Sequence, residues 1–360
     1  MEPLKEMFNP AYYTRLAHHI RHVYKAFAVE KFLIQAVEPL ASLSLNERMR
    51  HTSVVLHQHL PAEYEKAIGI LKETIPLLTP GYTNLVFPDF VSQYGMQDVK
   101  TSLKALHYFT RFGSSEFAIR TFLKADLDRT INIMYQWSED ENEHVRRLAS
   151  EGSRPRLPWS FKLDAIIQNP ALTKPILENL KQDDALYVRK SVANHLNDIS
   201  KDSPNYVLRL VNAWDKQHPH TAWIVKRGCR SLFKQGAKKS LAAFNYTKDV
   251  KLSVRKFKLS KNLIRIGEAL TFQFELVSQH RKTQKLMVDY RIHYVKKGGG
   301  TSPKVFKLKE MKLLVNESVF ISKKQRFQDF TTRKHVPGKH KLDVLVNGEV
   351  VKRIAFVVKH

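Results

Sequence analysis

The sequence is poor in cysteine, with Cys229 as the one example among 360 residues. A single cysteine excludes an internal disulfide and leaves no cysteine pair to bind zinc or an iron–sulfur cluster. No apolar run approaches the roughly 20 residues that cross a bilayer. The amino-terminal residues MEPLKEMFNP lack the basic and then apolar order of a secretory signal peptide. We therefore expect a soluble, cytoplasmic protein.

Several signatures of common enzymes are also missing. The three glycines at 298–300 are not followed by the Lys-Ser/Thr pair and helix of a phosphate-binding loop. No Gly-x-Ser-x-Gly elbow occurs. His18 and His22 have helical spacing but no acidic third ligand nearby. These absences disfavour nucleotide hydrolases, α/β-hydrolases and metalloenzymes, and we expect neither a metal nor another cofactor.

Acidic residues are scarce relative to basic ones, 34 against 60, which gives a net charge of +26. Residues 251–360 contain 26 basic and 8 acidic side chains, so most of the excess lies in less than a third of the chain. This charge predicts a polyanionic partner, with counterion release supplying much of the affinity. Charge alone fits solubility or attraction to any polyanion equally well, so it indicates only a class of partner.

Apolar residues recur at helical spacing from the start to about residue 245. Within this region the triplet valine-basic-basic begins at Val145, Val188 and Val225, at spacings of 43 and 37 residues. One spacing lies within the roughly 40–47 residues of HEAT and armadillo units and the other is slightly shorter. Stacked units would place a row of positive charge on one face of a solenoid, unless three solvated helix faces coincide by chance. Four prolines are expected to end helices: Pro170, Pro175, Pro204 and Pro219.

From about residue 250 the apolar pattern changes to period two, as in Leu270–Val277 and Met287–Val295. Val344–Val351 contains Asn-Gly, the pair typical of a tight hairpin turn. About seven short strands predict an antiparallel β-sandwich of immunoglobulin-like shape, without the Cys…Trp…Cys core of antibody domains. The segment Lys296–Lys304 is expected to be a flexible basic tip that enters a DNA groove, or else a plain surface hairpin.

The predicted fold is therefore a multidomain α + β chain. An all-α HEAT-like solenoid is expected over residues 1–245, where it would bind DNA and hold the active site. An all-β immunoglobulin-like sandwich is expected over residues 246–360, basic and in contact with DNA.

The most informative stretch is HVRRLASEGSRPRLPW, residues 144–159, where tandem arginines surround one acid, Glu151. The order Glu151, Gly152, then an arginine- and proline-rich loop marks a helix end, and loops at helix ends often hold chemistry. The arginines would attract phosphates, and a carboxylate among them would face the sugar–phosphate backbone. The stretch therefore predicts a DNA-directed site.

This stretch resembles the signature of the bacterial DNA alkylation repair glycosylases built from HEAT-like repeats, in the AlkC branch of the AlkC/AlkD family. Similar segments are SSEFAIR (Ser114–Arg120), YVRKSVANHLNDISKDSP (Tyr187–Pro204), TAWIVKRG (Thr221–Gly228) and the amino-terminal MEPLKEMFNPAY. The resemblance spans almost the whole chain. It implies a DNA glycosylase of base excision repair that grips and bends damaged double-stranded DNA by its backbone, and one subgroup has an immunoglobulin-like carboxy-terminal domain.

The chemistry expected of such a glycosylase needs no general acid, because a cationic base such as 3-methyladenine or 3-methylcytosine leaves as a neutral molecule. One or two carboxylates would stabilise an oxocarbenium-like sugar and position water. Glu151 is the first candidate, the resemblance implies Glu116 as the second, and Asp198 is a weaker third. Trp159 is expected to lie against the cationic nucleotide. The motif contains no lysine for lyase chemistry, so a monofunctional enzyme is preferred.

Each of these residues has a structural alternative. Glu151 could pair with Arg147 one helical turn earlier, and Glu116 could serve only the dipole of its helix. Asp198 could bridge to an arginine of a neighbouring repeat, and Trp159 could be a packing anchor between repeats. The expected DNA contacts are the following basic residues: Arg146, Arg147, Arg154, Arg156, Arg189, Lys190, Lys226, Arg227, Lys296 and Lys297.

Two other functions remain open on sequence grounds. A nucleic-acid-binding scaffold could keep the solenoid without the chemistry. A basic helical-repeat adaptor could bind an acidic protein instead, and competition by duplex DNA would distinguish it. In each case we expect a monomer without a membrane partner.

Overall fold

The computed structural model describes residues 3–234, 246–329 and 334–360. The chain forms two compact units, one of Met1–Val207 with Ala213–Gly228, the other of Leu208–Asn212 with Cys229–His360. The first is helical and the second is built on β-sheets, which confirms the predicted fold class. The predicted boundary at 245/246 falls at the edge of the described residues and stays a prediction.

The α-helices follow one another through short connections, and several begin at side-chain caps: Asn9 accepts a hydrogen bond from the Tyr12 amide, and Ser44 forms a capping box with Glu47. Their bounds are α1 Pro10–Val23, α2 Val29–Val37, α3 Leu45–His59, α4 Tyr64–Thr74, α5 Val86–Tyr94, α6 Val99–Phe109, α7 Glu116–Ala125, α8 Leu127–Trp137, α9 Glu143–Gly152, α10 Asp164–Gln168, α11 Lys174–Leu180, α12 Leu186–Asp202, α13 Pro204–Asn212, α14 Pro219–Gly228 and α15 Arg230–Lys234. Short 3-10 helices cover Leu4–Met7, Glu38–Ala41, Ile75–Leu77, Tyr82–Leu85 and Pro170–Thr173.

The helical unit contains a row of helices in which each member packs against the next, in the order α3, α5, α7, α9, α12 and α14. The three repeated valines are fully buried in the last members of this row, Val145 in α9, Val188 in α12 and Val225 in α14. They are the core anchors that the sequence spacing predicts. The row therefore places residues of distant segments side by side.

The first cation after the valine has the same local role in two repeats. Arg146 and Arg189 each donate from Nη1 to the carbonyl oxygens of residues five and six positions earlier, over distances of 2.6–2.9 Å. These carbonyls belong to the turn before each helix. The repeated arginine thus ties its helix to the preceding turn, which is a structural use of part of the predicted charge row.

The four prolines expected to end helices also stand at helix starts. Pro170, Pro204 and Pro219 are the first residues of their helices, and Pro175 is the second residue of α11. Because α10 ends at Gln168 and α12 at Asp202, each two residues before a proline, the expected helix ends are confirmed at Pro170 and Pro204. At a helix start, the first amide groups have no intrahelical partner. A proline there costs no hydrogen bond and its fixed φ suits the first turn.

The second unit contains eight strands within the described residues, one more than the seven expected. They are β1 Leu252–Leu259, β2 Leu263–Arg265, β3 Ala269–Ser278, β4 Gln284–Val295, β5 Thr301–Leu313, β6 Ser318–Arg326, β7 Gly338–Val346 and β8 Glu349–Lys359. One sheet has the order β1-β3-β6 and the other the order β2-β8-β7-β4-β5. The additional strand is the three-residue β2, which pairs in parallel with β8 and is too short for a periodic pattern.

The alternation expected in β3 is confirmed, with every second side chain buried in the core of the sandwich. The hairpin between β7 and β8 is also confirmed, since Asn347 and Gly348 have φ of 49° and 80°, as a type I′ turn requires. The expected loop Lys296–Lys304 was too long, because β5 begins at Thr301 and pairs with β4 from its first residue. Lys296 and Lys297 lie exposed in the shorter loop.

A buried charge cluster spans three neighbouring strands of the larger sheet. Asp343 of β7 has no exposed surface, and it accepts hydrogen bonds from Arg291, His293 and Arg353 at 2.6–3.0 Å. Burial acts to raise the pKa of Asp343, but the three donors outweigh it and hold that pKa well below its usual range. Part of the basic excess of this unit thus compensates an internal acid.

Candidate active site

A cleft of about 580 Å³ opens in the helical unit where α7, α9 and the loop after α9 meet the turn around residue 81. Glu116 and Glu151, predicted from distant segments, both line it, as does Trp159. The lining residues are Pro80, Gly81, Tyr82, Leu85, Arg111, Phe112, Gly113, Ser114, Glu116, Phe117, His144, Glu151, Arg154, Leu157, Pro158 and Trp159. The structure thus brings together three of the four predicted catalytic residues.

Glu151 lies in the last turn of α9 and is 7% exposed. Arg154 Nη1 donates to Glu151 Oε1 at 2.6 Å, and Arg147 Nη2 lies 3.6 Å from the same oxygen. Burial acts to raise the pKa of Glu151, but the two arginines outweigh it, so the pKa lies below its ordinary value. The pairing with Arg147 therefore exists, but Arg154 is the closer partner and the carboxylate is ionised at neutral pH.

The position of Glu151 depends on the glycine that follows it. A Cβ atom on Gly152 would lie 2.5 Å from Ile119 Cγ2, so any larger residue would push the end of α9 away from α7. Close packing of these helices brings Glu151 into the cleft that Glu116 lines.

Glu116 is the first residue of α7, as expected from the two serines before it. Arg147 Nη1 donates to Glu116 Oε2 at 2.8 Å and to Ser114 Oγ at 2.6 Å. Burial acts to lower the pKa of Arg147, but Glu116 and Glu151 outweigh it and the pKa is raised. Arg147 therefore bridges the two carboxylates instead of pointing at solvent.

Asp198 lies on α12 with 2% of its surface exposed, and it is not among the residues that line the cleft. Arg154 donates to Asp198 Oδ2 from Nε at 2.8 Å and lies within 2.7 Å of it through Nη2. Lys201 Nζ donates to Oδ1 at 2.8 Å. Asp198 therefore forms an ion pair with Arg154. Such a bridge to an arginine of a neighbouring repeat is the alternative role that the sequence suggested for it.

These contacts join into one chain of alternating charges across α7, α9, the following loop and α12. Three carboxylates and three cations compensate one another, so this series of six side chains is neutral as a whole. Its members, in spatial order, are Glu116, Arg147, Glu151, Arg154, Asp198 and Lys201. Such a network holds the side chains of both catalytic candidates in one orientation.

Arg120, on α7, binds the backbone of the loop that follows α9. The sequence analysis did not identify this residue. It is fully buried and donates to the carbonyl oxygens of Gly152 at 2.9 Å, of Arg154 at 2.6 Å and of Phe161. Burial lowers the pKa of Arg120 to about 10, which leaves it charged at neutral pH. A charged residue on the apolar face of α7 was the signal in the sequence that could have indicated this role.

Trp159 projects from the loop that Arg120 holds. It has φ of 65°, in the left-handed region, and its side chain is 72% exposed at the edge of the cleft. A packing anchor between repeats would be buried, so that alternative does not describe this ring. The exposed indole face is available to a ligand in the cleft.

Several arginines expected to contact phosphates have carboxylate partners. Arg146 donates to both oxygens of Asp183, and Arg156 donates to both oxygens of Asp202 at 2.6–2.7 Å. Arg154 is 7% exposed. Their contacts with DNA stay predictions.

The remaining predicted contacts lie elsewhere on the two units. Lys190 is exposed on α12, and Lys226 and Arg227 lie in the last turn of α14, where the Arg227 guanidinium is 5.4 Å from the Trp223 ring centroid. Lys296 and Lys297 belong to the β-unit. Their contacts with DNA are predictions too.

Other residues of the cleft were not anticipated. Arg111 is exposed at its edge and forms no ion pair with the described residues. Tyr82 donates from its hydroxyl to Asn46 Oδ1 at 2.8 Å, and burial, with Glu116 nearby, raises its pKa. His144, whose ring lies 5.4 Å from that of Tyr187, was inside the motif but unremarked. Only tertiary structure brings these side chains to one place.

Within the described ranges, no group of three or more His, Cys, Asp or Glu side chains could hold a metal ion. No helix there is both long and apolar enough to cross a bilayer.

The helical unit, with its buried alternating charges, and the basic β-sandwich each match a known protein family, and the match of the helical unit is to a class of DNA repair enzymes. Residues 107–232 match the family model for the DNA alkylation repair enzyme, and this range contains the whole alternating-charge chain. Residues 253–360 match the model described as the uncharacterised protein YhaZ, C-terminal Ig-like domain.

Two full-length relatives agree with these matches. The chain is 44% identical over 359 residues to the uncharacterized protein YhaZ of Bacillus subtilis (strain 168), covering 99% of this chain and 100% of that one. It is 45% identical to the Pseudomonas fluorescens alkylpurine DNA glycosylase AlkC, solved bound to DNA containing an abasic site analog, with a TM-score of 0.97 and both chains covered completely. The chain belongs to the AlkC branch of the DNA alkylation repair enzymes and is a DNA glycosylase, as the sequence motifs implied.

Proposed function

We propose that the chain is a monofunctional glycosylase that hydrolyses the N-glycosidic bond of cationic N-alkylated bases, the 3-methyladenine and 3-methylcytosine class, in base excision repair. The observation that carries this proposal is the pair of carboxylates, Glu116 and Glu151, which line one cleft together with an exposed tryptophan. The AlkC relative was solved with an abasic site analog, which resembles the product left when a base is removed.

The chemistry follows from the charge of the lesion. An N-alkylated base withdraws the bonding electrons of the glycosidic bond and leaves as a neutral molecule, so no proton donor is needed. Positive charge then develops on the deoxyribose, and the largely buried carboxylates of Glu116 and Glu151 stabilise it. A water molecule attacks the sugar carbon, and a carboxylate accepts its proton.

The geometry of Glu151 suggests which oxygen serves water. Arg147 and Arg154 both make their ion pairs with Oε1 of Glu151, and the hydrogen bond from Arg154 also goes to Oε1. We assign Oε2 to the attacking water and the two arginines to holding the carboxylate. Asp198, behind Arg154, acts on this reaction by positioning that arginine and not by touching the sugar.

Recognition would combine a cationic lesion with backbone contacts. The exposed Trp159 ring favours a positively charged nucleotide by about 0.5–2 kcal/mol. Exposed basic residues such as Arg111 and Lys190 contact phosphates, so binding depends on backbone geometry more than on base edges. We place the protein in the bacterial cytoplasm, acting as a monomer on damaged duplex DNA, with the β-unit contributing contacts through loops such as Lys296–Lys297.

Base release from methylated duplex DNA tests this function directly. The wild-type protein in excess over DNA is expected to release free 3-methyladenine or 3-methylcytosine in a single turnover, leaving abasic sites and unbroken strands. Free bases are measured by chromatography, and strand breaks before alkaline treatment would reveal lyase activity. Tight DNA binding without release of any methylated base would instead favour the non-catalytic scaffold.

The lowered pKa of Glu151 predicts a simple pH profile for base release. Because its folded pKa lies below the unfolded value of about 4.3, Glu151 stays ionised through the neutral range. Titration of Glu151 should therefore not change the single-turnover rate between about pH 6 and pH 8. The rate should fall only at lower pH, where this carboxylate becomes protonated. The contribution of the ionised Glu151 carboxylate to the free energy of unfolding is likewise fully present above about pH 4.3. It is lost as the pH falls through the folded pKa of Glu151.

The profile is measured at saturating protein, with far-UV circular dichroism recorded at each pH to confirm folding. An acid limb near pH 6–7 in a folded protein would contradict the assignment of an ionised Glu151, because it would indicate a carboxyl whose pKa is raised.

A further inference from the structure

The loop that follows α9 exposes a second aromatic ring besides Trp159. Phe161 is 43% exposed, two residues beyond Trp159, and the proposed reaction gives it no role. We call Trp159 and Phe161 together the aromatic ledge. Large exposed apolar side chains close together often mark a binding surface.

The ledge separates three successive clefts of the helical unit. Trp159 lines both the catalytic cleft and a second cleft of about 380 Å³. Phe161 lines this second cleft and also a third one of about 560 Å³. A ligand longer than one nucleotide could therefore continue from the catalytic cleft across both rings.

The ledge is held rigidly from beneath. Arg120 binds the carbonyl oxygen of Phe161 together with those of Gly152 and Arg154. The Leu163 amide donates to the Pro155 carbonyl at 3.1 Å, which closes the loop on itself. Because the backbone is fixed at both ends, the rings are preorganised to face a ligand.

Charge along the ledge suits a polyanion. Lys124 Nζ lies 5.6 Å from the centroid of the Phe161 ring, and Lys124 and Lys162 both line the third cleft. Both lysines are exposed, and neither forms an ion pair within the described part of the chain. The third cleft also contains one exposed carboxylate, Asp164, so its lysines outnumber its acid.

The carboxylates of the second cleft already have partners. Glu47 Oε2 accepts from the Ser44 amide at 2.8 Å in the capping box of α3. Asp89 accepts from Arg50, Ser53 and Gln93 at 2.7–2.8 Å. These contacts reduce the repulsion that a phosphate would meet in this cleft.

We propose that the aromatic ledge carries the DNA strand away from the lesion, with Phe161 packed against a nucleotide about two steps from the one at Trp159. Two residues of extended chain span at most about 7 Å, and one strand advances about 3.4 Å per nucleotide. Lys124 and Lys162 then face the phosphates beyond it. Aromatic faces accept any base or sugar, which suits an enzyme that acts in every sequence context. This proposal rests on the proposed function in placing Trp159 at the lesion.

Binding to a duplex with a tetrahydrofuran abasic analogue tests the ledge without requiring chemistry. Phe161→Ala is expected to weaken binding about tenfold in fluorescence anisotropy at physiological salt, whereas Phe161→Tyr keeps the ring and stays within about twofold of wild type. Tyr135→Ala is the matched control, because Tyr135 is 39% exposed on α8 and lines none of the three clefts. Thermal unfolding of each variant confirms that it folds.

Photocrosslinking then locates the contact. With 5-iododeoxyuridine placed in turn at each position flanking the abasic analogue, wild type and Tyr135→Ala should crosslink about two steps from it, and Phe161→Ala should lose that product. Unchanged affinity of folded Phe161→Ala, or a crosslink independent of Phe161, would overturn the proposal. If methylated DNA released no base while Phe161→Ala still lost affinity for the abasic duplex, the proposed function would fail and the ledge would stand.

Discussion

Replacing Glu151 with glutamine is expected to slow release of methylated bases about 100-fold. Glutamine keeps the shape of the side chain, but it removes the negative charge that stabilises the oxocarbenium-like sugar and the base that accepts a proton from water. The loss corresponds to about 2.7 kcal/mol of barrier. It is measured as the single-turnover rate of base release with protein in excess over methylated duplex DNA.

Two companion variants locate the effect. Glu116→Gln should slow release at least about tenfold, because Glu116 lines the same cleft. Glu143→Gln is the matched control, since Glu143 lies exposed in the first turn of the same helix and outside the cleft, and its rate should match wild type. Rates within twofold of wild type for both cleft variants would refute carboxylate assistance.

Replacing Arg154 with methionine is expected to destabilise the helical unit by about 3–5 kcal/mol. Arg154 is 7% exposed and compensates both Glu151 and Asp198, so its removal leaves buried carboxylates short of a counter-charge. Urea unfolding followed by tryptophan fluorescence reports on this unit within the full chain, because all four tryptophans belong to it: Trp137, Trp159, Trp214 and Trp223.

An arginine pair nearer the surface provides the comparison. Arg156 and Asp202 have side chains 28% and 26% exposed, so solvent screens this pair and Arg156→Met should destabilise the protein much less than Arg154→Met. Adding Asp198→Asn to Arg154→Met should recover part of the lost stability, because it removes one of the uncompensated charges. Equal destabilisation by Arg154→Met and Arg156→Met would show that the buried network has no special contribution.

Local patterns allowed much of this molecule to be predicted. Helical and alternating periodicities report the burial of one face, so they located the helical unit, β3 and the β7–β8 hairpin without knowledge of tertiary contacts. The prolines marked helix boundaries, but the sequence did not show that each also begins the next helix, since a proline can follow one helix and start another. β2 was missed because three residues do not define a period.

The site was predictable in its residues and not in its connections. The motif around Glu151 and the resemblance at Glu116 identified the carboxylates, but a basic residue in a sequence does not reveal its partner. Arg154 meets Asp198 across 44 positions, and Arg147 meets Glu116 across 31. Arginines that looked like phosphate ligands therefore proved to hold acids, because only the stacking of helices brings those segments together.

The hydrogen bonds from Arg120 to the loop after α9 have an evolutionary consequence. Arg120 binds main-chain oxygens, which every residue supplies, so these three hydrogen bonds do not depend on which side chains the loop displays. Substitutions at residues 158–161, which are exposed or partly exposed, can then alter the surface offered to a lesion while these backbone hydrogen bonds are kept. Arg120 itself has no such freedom. Related enzymes could diverge in lesion preference through this short segment, with the arginine retained beneath it.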